Sequence, residues 1–257
     1  MRSKVAPLIV GGLNQWGAMA KPAVNRSSIR IVLLVAVTVL LGLVSATPIA
    51  ANTGSHSGRV LPPDAHPFGY SLDRITRDLA VFSSSNNDLK FLPDTPFQVL
   101  YADPDRFIVT ADGTGLLFTG FNSFTVEQGT LFFVPLWNAN DTPPVVPGFP
   151  RSAAKAKTYF FGAAHVGARD FEIIIDGKST PIGSRYLGGP VKTPPLPGGG
   201  NHMITLGAFL SPLASGVHSV TIRGGVFGAG IPATTDPPVD FLREDITYTV
   251  EVVKHRR

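Results

Sequence analysis

Between His165 and Asp170, H-V-G-A-R-D, an imidazole, a guanidinium and a carboxylate stand within six residues, and acid/base chemistry draws on those side-chain types. If His165, Arg169 and Asp170 converge, the run points to proton transfer. If they do not, it is ordinary ion pairing at the start of a strand. Asn138, Asn140 and Asp141 gather oxygen atoms in one loop, as Asp103 and Asp105 do in another. Calcium, which takes roughly six to eight oxygens, is the ion such loops would suit. The same residues also serve turns, and no EF-hand spacing accompanies them. Trp137 ends an apolar run where that first loop begins. Exposed, it would stack on a sugar ring; buried, it would belong to the core.

The other reactive side chains lack a pattern. His202 follows Gly198-Gly199-Gly200 and His218 opens a strand, but neither they nor His66 fall in H-x-H or H-x-x-x-H spacing, so no metal ligand set is assigned. Ser211 and Ser215 have no G-x-S-x-G elbow, and the triple glycine is not followed by the Lys of a phosphate loop. The chain has no cysteine, which excludes disulfides, thiolate zinc sites and Cys nucleophiles together.

The elements that must position these residues are mainly strands. In F-E-I-I-I-D-G-K, Phe171, Ile173 and Ile175 alternate with Glu172, Ile174 and Asp176, and Asp176-Gly177 suits a type I′ turn, so a hairpin is predicted. Leu72, Ile75, Leu79 and Phe82 repeat at helical spacing behind Ser71, a capping residue. That helix is expected at an end or edge of the sheets, and Ser152 to Phe161 is expected to form a second one. Phe97 to Tyr101 and Arg106 to Thr110 are expected to pair as a hairpin. Leu131 to Trp137, L-F-F-V-P-L-W, is apolar on both faces, with Pro135 predicted to carry it out of the sheet. Residues 138–151 and 186–201 read as long loops. Strands then follow over Met203 to Leu210, Val217 to Arg223 and Ile246 to Val253. This cadence predicts an all-β fold, an antiparallel β-sandwich of jelly-roll or Ig-like type with two short helices.

Residues 1–51 differ from the rest. Arg2, Lys4, Lys21, Arg26 and Arg30 precede or border an apolar run from Ile31 to Ala46, the layout of a signal peptide, with Met19 an alternative start and cleavage after Ala51 or Ala46. Residues 52–67 read as a flexible linker, and 68–257 as a single sandwich domain. Of 22 basic and 18 acidic residues, five basic and no acidic ones lie in the first 51, leaving 17 against 18. Net charge therefore gives no case for nucleic-acid binding, and the membrane enters only through an uncleaved leader.

F-G-Y-S before the first helix, E-Q-G-T-L-F-F-V-P-L-W, the I-D-G hairpin, P-L-A-S-G-V-H-S-V-T-I-R and the closing T-Y-T-V together resemble a loosely defined group of uncharacterised secreted bacterial β-sandwich proteins. The resemblance implies a sandwich and export to the cell envelope or beyond, and it carries no catalytic residue. The expected function is non-catalytic binding of an extracellular ligand, glycan or protein through Trp137, Asn138, Asn140, Asp141, His165, Arg169 and Asp170. The alternatives are a secreted hydrolase using His165, Arg169 and Asp170 or His202, and a structural envelope protein. No cofactor is implied apart from calcium.

Overall fold

A computed structural model describes residues 58–254 together with a two-residue strand, β1 (Ile9–Val10). The expected leader, apart from that strand's backbone, and the first part of the expected linker lie outside the described residues. Along the chain follow α1 (Leu72–Ser84), β2 (Phe97–Val99), β3 (Ile108–Asp112), β4 (Gly115–Glu127), β5 (Leu131–Asn140) and α2 (Ala153–Phe161). Then come β6 (Ala168–Ile175), β7 (Lys178–Pro181), β8 (Leu187–Lys192), β9 (His202–Leu210), β10 (Gly216–Val226), β11 (Thr235–Asp236) and β12 (Leu242–Val253). The fold is mostly β with two helices. One sheet has the strand order β3-β4-β12-β10-β6-β7, the other β2-β5-β9-β8, and β1 pairs only with β11.

Local chemistry forms several elements as read. Ser71 accepts a hydrogen bond from the Arg74 amide at 3.2 Å and starts α1. Asp176 and Gly177 both adopt positive φ, 48° and 82°, as the tight turn between β6 and β7 requires. Four expectations about strand pairing and connections are corrected. Residues 97–99 and 108–112 do not pair, because β2 joins β5 in one sheet and β3 joins β4 in the other. The arrangement is not wholly antiparallel, since β4–β12 and β2–β5 run parallel. The expected loop 186–201 contains β8. Residues 59–61, read as linker, run beside β9: Leu61 donates to the Phe209 carbonyl at 2.8 Å and Ser211 to that of Arg59 at 2.9 Å.

One buried cluster draws side chains from both sheets, among them Phe118 on β4, Trp137 on β5, Phe171 on β6 and Tyr248 on β12. A second lies on the other face of the four-stranded sheet, where Leu72, Ile75, Leu79 and Phe82 of α1 meet Phe97, Val99, Phe133 and Phe209. Thus α1 covers a sheet face and not an end, and this explains why β5 is apolar on both sides. The strand does not leave the sheet at Pro135. Its pairing with β9 shifts between Pro135 and Trp137, and the chain continues to Asn140. That bulge changes the phase of the alternation: Phe132, Val134 and Leu136 face the inter-sheet core before it, Trp137 and Ala139 after it.

Candidate functional site

The two long connections meet at Asp141. Its Oδ1 accepts from the amides of Asn201 at 2.7 Å and His202 at 2.8 Å, and its Oδ2 takes Arg151 Nη1 at 2.6 Å and His202 Nδ1 at 3.2 Å. Arg151 also contacts His202 Nδ1 directly. Burial alone would raise the carboxyl's affinity for a proton, but the His202 amide, Arg151 and the Asn201 amide outweigh it and hold Asp141 below its ordinary value of 3.8. With every lone-pair direction in use, Asp141 is a latch between loops. Asp141→Ala is expected to cost about 1.5–3 kcal/mol, the range for hydrogen bonds to a charged group, read by urea denaturation at neutral pH. Because the folded value is depressed, the latch contributes above the ordinary carboxyl range and fades as pH falls through the folded value.

The open site lies elsewhere, at a bulge between β6 and β10. Arg223 pairs with Glu172 and Gly225 with Arg169, so Gly224 alone opposes Asp170 and Phe171. Over this irregularity is a cleft of about 340 Å³ with Asp170, Glu172, Arg223, Phe227, Arg243 and Asp245 around it. A side chain at Gly225 would run into the Leu242 carbonyl, Phe227 and the Arg243 stem, so glycine lets these groups close over the strand at this edge of the cleft. Arg223 Nε donates to Asp245 Oδ2 at 3.0 Å, Arg243 lies 3.4 Å from Asp112, and Glu172 accepts from Ser179. Two guanidinium groups lie over the Phe227 ring, Arg169 at 3.9 Å and Arg243 at 5.3 Å from its centroid, and Phe241 stacks on it at 5.5 Å. Glu244 also borders the cleft, but strand alternation with Leu242, Ile246 and Tyr248 sends its side chain to the opposite face of the sheet.

The residues singled out in the sequence are therefore dispersed. Trp137 is 1% exposed and packs against Phe118 and Phe171, so the surface stacking role is withdrawn. Asn138 and Asn140 are equally buried: Asn138 Oδ1 accepts from Thr205 at 2.6 Å and Asn140 Oδ1 from the Thr142 amide at 2.9 Å. His165 sits 3.1 Å from the Pro147 carbonyl and against the Tyr159 ring, while Arg169 and Asp170 pair with each other at 3.8 Å beside the cleft. His218 has both nitrogens engaged, by Asp176 at 2.7 Å and the Ala214 carbonyl at 2.8 Å. Ser211 receives the Arg59 amide. Asp103 and Asp105 border a second cleft of about 480 Å³ with Asp88 and Tyr101, and Asp103 there binds the Asp105 amide at 3.0 Å and Arg106 at 3.4 Å. Among the described residues no group of three His, Asp or Glu is placed to hold a metal ion.

Arg223, Phe227, Arg243, Glu244 and Asp245 went unread in the sequence. A signal for one of them was present: in L-R-E-D-I-T-Y-T-V, Glu244 occupies the parity of Leu242, Ile246 and Tyr248, an acid on the apolar face. Compared with known proteins, the chain matches no family model, no curated protein and no solved structure.

Proposed function

We propose that the chain is an exported, non-catalytic binding domain of β-sandwich type, jelly-roll or Ig-like, that takes a saccharide in the cleft above the β6–β10 bulge. The sandwich reading is supported by the cluster shared between the two sheets. The observation that carries the ligand reading is the composition of the cleft. Arg223 and Arg243 in its lining, with Arg169 beside it over the Phe227 ring, are matched by Asp170, Glu172 and Asp245, so the ionised side chains favour neither an anion nor a cation. A neutral polyhydroxylated molecule uses both kinds of group at once, donors from guanidinium and acceptors from carboxylate, with Phe227 as an apolar part of the lining.

A glycan array followed by calorimetry on the best binder tests this. Arg223→Ala and Phe227→Ala are each expected to weaken binding about tenfold or more, equivalent to roughly 1.4 kcal/mol, with the thermal midpoint little changed. A silent array, or affinity indifferent to both substitutions, defeats the reading.

One observation favours a hydrolase instead. His202 Nδ1 lies against both Asp141 Oδ2, at 3.2 Å, and Arg151, and in the tautomer that donates to the carboxylate the imidazole is oriented for proton transfer through Nε2. Turnover of chromogenic esters or glycosides that is lost in His202→Ala would establish that alternative.

A further inference from the structure

On the inner face of the six-stranded sheet one lateral row contains a polar side chain among aromatic ones. Glu244 on β12 stands directly between Phe118 on β4 and Gly224 on β10, its partners in the two ladders. A side chain at Gly224 would run into the Phe171 ring, so Phe171 lies over the glycine and extends the row. From the facing sheet, Trp137 spans the same row, its ring centred 6.3 Å from Phe118 and 6.1 Å from Phe171. The Glu244 side chain and the indole thus share one row of the core, between the same two phenylalanines.

Both groups are buried, Glu244 to 2% exposure and Trp137 to 1%. Among the described residues neither Glu244 oxygen has a hydrogen-bond partner, and neither does Trp137 Nε1. The indole nitrogen can only donate, and a carboxyl supplies acceptors. Facing groups of complementary type, each without a direct partner, are the setting in which an ordered water serves both, because leaving either unsatisfied costs a large desolvation penalty. We infer that Glu244 and Trp137 form an internal hydration site between the sheets, in which one water accepts from the indole N–H and hydrogen-bonds to the Glu244 carboxyl.

The surroundings favour the protonated form. Phe118, Gly224, Trp137 and Phe171 bring no charge to the inner face. Burial, with a smaller contribution from Asp245 on the outer face, pushes the Glu244 carboxyl well above its ordinary range. Tyr248, four residues along the same strand face, is the other titratable group; burial and the nearness of Glu244 hold its phenol protonated. Below that raised value the carboxyl is a neutral acid that offers the water both a donor and an acceptor.

Nuclear magnetic resonance of the ¹⁵N-labelled full chain tests this through the Trp137 indole signal, assigned by its loss in Trp137→Phe or, should that variant fail to fold, by the loss of the other indole signal in Trp16→Phe. The expected result is a cross-relaxation peak from water to the Trp137 indole proton and an indole shift that follows the ionisation of Glu244 on raising pH. Glu244→Gln should keep the water peak and abolish the pH-dependent shift. Absence of the water peak, an indole signal that does not move while the fold persists, or a shift that survives in Glu244→Gln overturns the inference.

Discussion

Trp137→Ala is expected to destabilise the fold by about 3–5 kcal/mol, the range for deleting a large aromatic side chain from a close-packed core. Trp137 is among the largest fully buried side chains, and it touches Phe118 and Phe171 of the facing sheet. The two sheets flank it, so neither can move alone to refill the volume it leaves. Denaturant unfolding followed by far-ultraviolet circular dichroism checks the value, and a loss below about 1 kcal/mol would show that the sheets do not share this contact. Since a loss of this size is a large fraction of a typical domain's stability, Trp137→Ala is unsuited to testing ligand binding. Arg223 and Phe227, on the open side of the other sheet, are the positions for that purpose.

Glu244→Leu should act in the opposite direction, raising stability by about 1–4 kcal/mol at neutral pH, as replacement of buried ionisable groups by apolar ones often does. The change inserts no greater length into the row between Phe118 and Gly224, and it removes a carboxyl that is costly to bury at neutral pH, a gain that outweighs the loss of the water-mediated contact to the indole. The sign of the pH dependence follows from the raised affinity for a proton. The folded chain holds that proton more tightly than the unfolded chain, so the contribution of Glu244 is most favourable below the ordinary carboxyl value of 4.5 and declines as pH rises through the elevated folded value. In Glu244→Leu this decline should vanish while the acid-side loss from Asp141 remains. A series of thermal midpoints across pH for the two proteins separates these contributions, and parallel curves would remove Glu244 from the account.

Legibility in the sequence followed the range over which each feature is specified. The β6–β7 hairpin and the start of α1 depend on residues next to one another, Asp176-Gly177 and Ser71, and both were readable. The alternation of Ile246, Tyr248, Val250 and Val252 likewise separated a buried from an exposed face of β12. Which strands become neighbours was hidden. The parallel register that sets Ile246 beside Gly120 joins segments far apart in the chain, and local periodicity is the same for either orientation. β8 escaped notice because L-G-G-P-V-K lacks alternation. Gly188 is needed there because a side chain would strike Thr76 and the Leu72 carbonyl of α1. The cleft was illegible for a similar reason: Asp170, Arg223 and Asp245 come from three strands and meet only once β10 lies between β6 and β12.

The position of β12 bears on when the protein can assemble. It is the last of the described strands, yet it sits inside the larger sheet, between β4 and β10. While a ribosome is still making residues 242–253, β3 and β4 have no connection to β10, β6 and β7 through hydrogen bonds, and the surfaces that will meet β12 stay bare. Closure of the larger sheet is thereby deferred until synthesis of that segment is finished, whereas β2, β5, β9 and β8 need nothing from it. A chain shortened by those twelve residues would lose the strand that joins the two parts of this sheet and not merely a fringe.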